Sequence, residues 1–128
     1  MGSEPADHGD AARAEQGNAM ARRLLGVAEG IPGTSPFRRA GRDFVFAEVW
    51  SRPGLDLRSR LWITLAAVAA ARSPIAIETY LRAALRSGEI DMAELREFAL
   101  QFGVFQGFPK AAEIDAALDR IEQETTNR

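Results

Sequence analysis

The sequence predicts an all-α fold of about six helices in one domain. Three observations carry that reading. Apolar side chains recur at three- and four-residue spacing along most of the chain. Each such run is bounded by Gly, Pro or a capping residue. No stretch alternates apolar and polar side chains as a half-buried strand does. The boundaries read as a flexible tail over 1–10, a helical domain over 11–124 and a frayed end over 125–128.

The first helix spans about Ala11 to Leu25, with Ala14, Met20, Leu24 and Val27 near helical spacing and Gly26 as its stop. Gly17 and Asn18 weaken its middle. Gly30, Pro32 and Gly33 make a loop. Ser35 followed by Pro36 is a hydroxyl cap and a first-turn proline, and Phe37, Ala40, Phe44, Ala47 and Val49 give the next apolar face. Pro53 and Gly54 end that element soon after Trp50. Asp56 can cap a third helix, which runs to about Ala71 and is apolar nearly all round beyond Arg60. Such a helix is expected to be buried on every side, as a central helix, a subunit interface or both.

Ser73 and Pro74 repeat the cap-and-proline start. Ile77, Leu81, Ala84 and Leu85 form the face, and Gly88 ends the helix. Asp91 and Glu94 have the spacing of a capping box. Leu95, Phe98, Ala99, Phe102 and Phe105 follow at helical spacing and are expected in the core. After the Gly107–Pro109 break, a last amphipathic helix carries Ile114, Leu118 and Ile121.

Composition excludes several functions. There is no cysteine, so disulfides, thiolate metal sites and thiol nucleophiles are all ruled out for this chain. The single histidine, His8, lies in a polar stretch, which argues against a histidine metal site or a catalytic triad. A net charge of −2, with no basic recognition helix, argues against nucleic acid and against a transcriptional regulator. The Arg22–Arg23 and Arg38–Arg39 pairs read as solvated surface. The apolar run from Leu61 to Ala71 is about half the ~20 residues a membrane span needs. The first eighteen residues lack the apolar run of a signal peptide, and a cytoplasmic location is expected.

The residues best suited to chemistry crowd around the Pro53–Gly54 turn: Glu48, Trp50, Arg52, Arg58 and Arg60. Trp50 can offer a flat apolar wall. The arginines suit a carboxylate, because guanidinium is planar and always charged. Glu48 supplies a carboxyl for acid–base work if burial favours its protonated form. A helix hairpin with a packed Trp and solvated arginines would show the same spacing.

The string Glu48-Val49-Trp50-Ser51-Arg52-Pro53-Gly54-Leu55-Asp56, followed by Arg58-Ser59-Arg60 and an apolar helix, resembles the carboxymuconolactone decarboxylase family. The segment Leu81-Arg82-Ala83-Ala84-Leu85-Arg86-Ser87-Gly88 is similar to the family's second signature, His-Leu-Arg-Ala-Ala with a Gly soon after. The likeness extends from about residue 15 to about residue 120.

The resemblance implies an alkylhydroperoxidase D-like helical fold and a homo-oligomer, a hexamer or trimer. It also implies a carbon–carbon lyase that works without metal or organic cofactor, in aromatic-compound metabolism. The expected substrate is a carboxylated lactone or cyclic small molecule. Against the peroxidase branch of the fold, the paired-Cys positions fall on Ser73 and Ala76, the relay Glu on Leu61 and the motif His on Tyr80. Thiol peroxidase chemistry is therefore excluded. Tyr80 and Glu48 become the candidate proton-handling pair, with Trp50, Arg52, Arg58 and Arg60 binding substrate. The alternative is a non-catalytic homologue, a small-molecule binder or scaffold, that has lost the His.

Overall fold

The computed structural model describes residues 8–127. It contains six α-helices and one π-helical segment, with no strand among the described residues. They are α1 (His8–Leu25), α2 (Pro36–Ala40) running into the π-helical segment Gly41–Val49, α3 (Leu57–Ala70), α4 (Pro74–Ser87), α5 (Met92–Gln106) and α6 (Phe108–Thr126). Residues 1–7 of the tail expected over 1–10 lie outside the described residues. Two compact units divide the chain, one ending at Asp56 and the other beginning at Leu57.

In the N-terminal unit, α1 packs along the π-helical segment. The buried stripe of α1 is Gly17, Ala21 and Leu24, one face of a 3.6-residue period. Gly17 therefore belongs to the packing face and is not merely a weak point. Asn18 is used as well: its Oδ1 accepts the Ile31 N–H at 2.8 Å and fixes the loop after α1. Gly26 ends α1 at φ +68, a conformation that glycine adopts without steric cost. Ser35 caps α2 as expected, its Oγ accepting the Arg38 N–H at 3.1 Å.

The apolar face expected beyond Ser35 is corrected. Phe37 is 87% exposed and Phe44 is 55% exposed; Ala47 is buried as expected, but its buried companions are Phe46 and Trp50. Phe37 lies on α2, ahead of the π-helical segment; for Phe44 the cause is the hydrogen-bond register. In a π-helix each N–H reaches back five residues, and the Trp50 N–H meets the Val45 carbonyl at 2.9 Å. The wider turn rotates successive side chains away from the faces an α-helix would give.

The C-terminal unit pairs α3 with α4 and α5 with α6, and α6 also packs on α4 and α3. Its core is Leu61 and Leu65 from α3, Ile77 and Leu81 from α4, Leu95 from α5, and Ile114 and Leu118 from α6. Helix α3 is not buried on every side. Leu61, Leu65 and Ala69 form one buried stripe, while Ile63 is 58% exposed and Ala66 and Ala67 are exposed too. Its apolar character exceeds what one chain buries. Phe105, expected in the core, is 77% exposed.

The stops and caps of this unit follow local chemistry. Gly88 closes α4 at φ +74. Asp91 and Glu94 form the expected capping box, with the Glu94 N–H on Asp91 Oδ1 at 2.8 Å and the Asp91 N–H on Glu94 Oε1 at 3.1 Å. Ser73 precedes Pro74, but its hydroxyl makes no capping bond; its carbonyl takes the Ile77 N–H at 2.8 Å. Helix α3 ends in a Schellman motif. The Arg72 N–H meets the Ala69 carbonyl at 3.1 Å, and the Ser73 N–H meets the Val68 carbonyl at 3.2 Å. The left-handed position, at φ +54, is occupied by Arg72 and not by glycine, where a side chain costs roughly 1–2 kcal/mol.

Candidate active site

Glu48, Trp50 and Arg52 belong to the N-terminal unit. Glu48 sits near the end of the π-helical segment, on the surface, with the Arg13 guanidinium of α1 3.9 Å from its Oε2. Trp50 is only 8% exposed. Its ring stacks on Phe46, with centroids 6.3 Å apart and planes inclined by 17°. Sequence reasoning placed Trp50 as an open wall and did not see Phe46 as its partner. The signal is their four-residue spacing, which sets two side chains side by side on a helix. Beyond Trp50 the chain turns: the Ser51 hydroxyl donates to the Phe46 carbonyl at 3.0 Å and the Arg52 N–H to the Val49 carbonyl at 3.2 Å. Arg52 is exposed on that turn.

Arg58, Arg60 and Tyr80 belong to the C-terminal unit. Arg58 opens α3, and its guanidinium forks onto the Glu94 carboxylate, with Nη1 3.2 Å from Oε1 and Nη2 on Oε2. The same Nη1 donates to the Glu89 carbonyl. The guanidinium also lies over the Trp62 ring, 5.6 Å from its centroid, a cation–π arrangement. Glu94 thus caps α5 and neutralises Arg58 at once. The Arg58 guanidinium holds its carboxyl below the usual carboxylate range, with the Asp91 N–H adding to the effect. This partnership spans thirty-six residues of sequence, and no local spacing announces it. A groove of about 510 Å³ adjoins it, walled by Trp62 and Phe98 with Asp91, Glu94 and Glu97 on its rim.

Arg60, on the first turn of α3, is half-buried, and its Nε is shielded from solvent. Tyr80 lies midway along α4, the helix that packs on α3. It is half-buried, and burial pushes its phenol above the ordinary value near 10. Desolvation disfavours the phenolate, so Tyr80 stays protonated throughout the neutral range. A group in that state can donate a hydrogen bond or a proton, and it cannot serve as a base.

Residues 36–120 match the carboxymuconolactone decarboxylase family. The chain belongs to this family. Its match covers α2 to most of α6 and so includes every candidate residue above. Among curated relatives, it is 27% identical to a nitrosuccinic acid decarboxylase of Metarhizium robertsii over 106 residues, 77% of this chain and 73% of that protein. It is 28% identical to a 4-carboxymuconolactone decarboxylase of Acinetobacter baylyi over 121 residues, 89% of this chain and 87% of that one. Both relatives are decarboxylases, which supports decarboxylase-like chemistry for this family member. No helix among the described residues is long and apolar enough to cross a membrane.

Proposed function

We propose that the chain is a cofactor-independent decarboxylase of a small carboxylic acid that carries its own electron sink. The observation that carries this reading is Tyr80, a half-buried phenol held in its protonated form on α4. The names of the two relatives' substrates point the same way. A nitro group and a lactone carbonyl each accept the electron pair that a departing carboxylate leaves behind. Such a substrate needs no Schiff base or metal to become labile.

In this reading the substrate carboxylate loses CO2 as its C–C bond breaks, and the electron pair passes into the nitro or lactone group. The carbanion carbon then takes the proton of the Tyr80 hydroxyl, and solvent returns one to the phenolate. Arg60, on α3 of the same unit as Tyr80, binds the substrate's charged oxygens. Arg58 reaches substrate only by giving up Glu94; with Glu94 in place it braces the first turn of α3. The carboxylated lactone of aromatic-compound breakdown is the first substrate to test, and nitrosuccinic acid the second.

The large apolar side chains left exposed, Ile63, Ile75, Leu100, Val104, Phe105 and Phe108, support a homo-oligomer, a trimer or hexamer, whose interfaces would cover them. Light scattering on the purified chain measures this directly. For the chemistry, CO2 release is followed with 4-carboxymuconolactone and with nitrosuccinic acid. Turnover of either that falls at least ~100-fold in Tyr80→Phe supports the assignment, in line with general-acid contributions. Full activity in that variant overturns Tyr80, and failure with both acids favours a non-catalytic binder.

A further inference from the structure

Arg72 is the one non-glycine residue with a left-handed backbone among the described residues. It occupies the position in the α3 Schellman motif where glycine fits without strain. From there its side chain crosses to α6 and forks onto Glu113 through Nε and Nη2. Farther along α6, Arg120 reaches back to Glu78 of α4, again through Nε and Nη2, at 3.3 and 3.2 Å. Between the two arginines lies a hollow of about 450 Å³ floored by Pro74, Ile77, Ala116 and Ala117. That volume is within the ~300–1,000 Å³ range of small-molecule sites.

We propose that this hollow binds a small monocarboxylate with an apolar body, its carboxylate held by Arg72 and Arg120. The reasoning begins with strain. An exposed ion pair such as Arg72–Glu113 returns less than a left-handed side-chain position costs. The pair alone therefore does not account for an arginine there, whereas a guanidinium that also grips a ligand does. The existing bonds use Nε and Nη2 of each guanidinium, so Nη1 of each is the donor assigned to the ligand. The positive end of α4, which begins at Pro74 in the floor, acts in the same direction. The apolar floor selects a ligand with a hydrocarbon body over a bare inorganic anion. Glu113 and Glu78 stand beside the two arginines and penalise a second negative charge, which disfavours phosphate. This site is built from α4, α6 and the α3–α4 turn, and it does not depend on the decarboxylase reading.

The test uses the full chain and 4-bromobenzoate. Calorimetry is expected to give one saturable site per chain, and crystals soaked in the same compound to place the bromine, by its anomalous signal, over Ile77 and Ala117. Arg120→Gln and Arg72→Gly are each expected to weaken binding at least tenfold. Arg72→Gly puts a residue suited to the left-handed position in place, so its melting temperature should hold or rise. Weaker binding in that variant is then not a folding defect. Tyr80→Phe should bind as the wild type does, which separates this site from the proposed catalytic one. Absence of saturable binding, a bromine elsewhere, equal binding of 4-bromobenzamide, undiminished binding in Arg72→Gly, or lost binding in Tyr80→Phe would each overturn the proposal.

Discussion

The backbone carbonyl of Arg42 occupies the space in which a side chain on Gly17 would begin. Helix α1 can lie this close to the π-helical segment only because Gly17 has no Cβ. The obstacle is main chain, which cannot swing aside as a side chain would. Gly17→Ala should therefore destabilise the protein by about 2 kcal/mol, in the range of overpacked cores, although alanine in a helix interior otherwise gains about 1 kcal/mol over glycine. Gly41→Ala is the control. Gly41 has helical dihedrals and no atom within 4 Å of where a Cβ would lie, so Gly41→Ala should gain about 0.5–1 kcal/mol. Urea midpoints of the two variants measure the contrast.

Tyr80 is the sole tyrosine, so its ionisation can be followed by tyrosinate absorbance without interference from another phenol. Burial should move the transition above the ordinary value near 10. The sign for stability follows. A group whose folded pKa is raised binds its proton more tightly when folded, so its contribution is intact below the unfolded value and is lost as pH rises through the folded one. Wild type should thus lose stability in alkali above about pH 10, and Tyr80→Phe should lack that component. If Tyr80 is the proton donor, the decarboxylation rate should also fall in the same alkaline window. A tyrosinate transition below pH 10 would contradict the burial argument.

How far the sequence could be read depended on how local each signal was. Ser35, Gly88 and the Asp91–Glu94 box announce helix ends because a cap is a contact between residues two or three apart. Phe44 misled because its inward orientation assumes an α-helical register, and the π-helical segment that opens at Gly41 shifts that register. Phe105 misled differently: it keeps helical spacing, but α6 folds back beyond Gly107 onto the face of Leu95, Ala99, Phe102 and Gly103 and leaves Phe105 uncovered. At the candidate site, the residue types Glu48, Trp50, Arg52, Arg58, Arg60 and Tyr80 were legible. The partners that set their behaviour, Phe46 against Trp50 and Glu94 against Arg58, were not. Nothing in the sequence says which distant carboxylate an arginine will meet.

Glu94 should make acid stability sensitive to the Arg58 pair. Its carboxyl is held below the usual range, first by the Arg58 hydrogen bonds and then by the Asp91 N–H. For a depressed carboxyl the stabilisation is present above the unfolded value, about 4.3, and is lost as pH falls through the lower folded value. Glu94→Gln should be less stable than wild type at neutral pH, and the gap should close in acid below about pH 4. Chemical denaturation across that range checks it. A gap that stays constant down to strongly acidic pH would mean that the loss comes from packing or capping, and not from the charge.

Arg96 of α5 holds three carboxylates of α6 together. Its Nη1 lies 2.7 Å from Asp115, and its Nη2 lies 2.9 Å from Asp119 and 2.7 Å from Glu122. These acids sit on successive turns of one helix, so each repels its neighbours once the guanidinium is gone. Hydrogen bonding to Asp115 is the foremost cause that raises the Arg96 pKa, which keeps it cationic at any working pH. Exposed pairs are weak singly, at up to ~1 kcal/mol, but one cation among three anions loses attraction and gains repulsion together. Arg96→Ala should therefore cost about 1–2 kcal/mol at low salt. Most of that loss should disappear near 1 M salt, where the screening length is about 3 Å. A salt-independent loss would instead point to the Arg96 methylenes packing between α5 and α6, and Arg96→Met, which keeps an apolar stem without the charge, would then restore stability where Arg96→Ala does not.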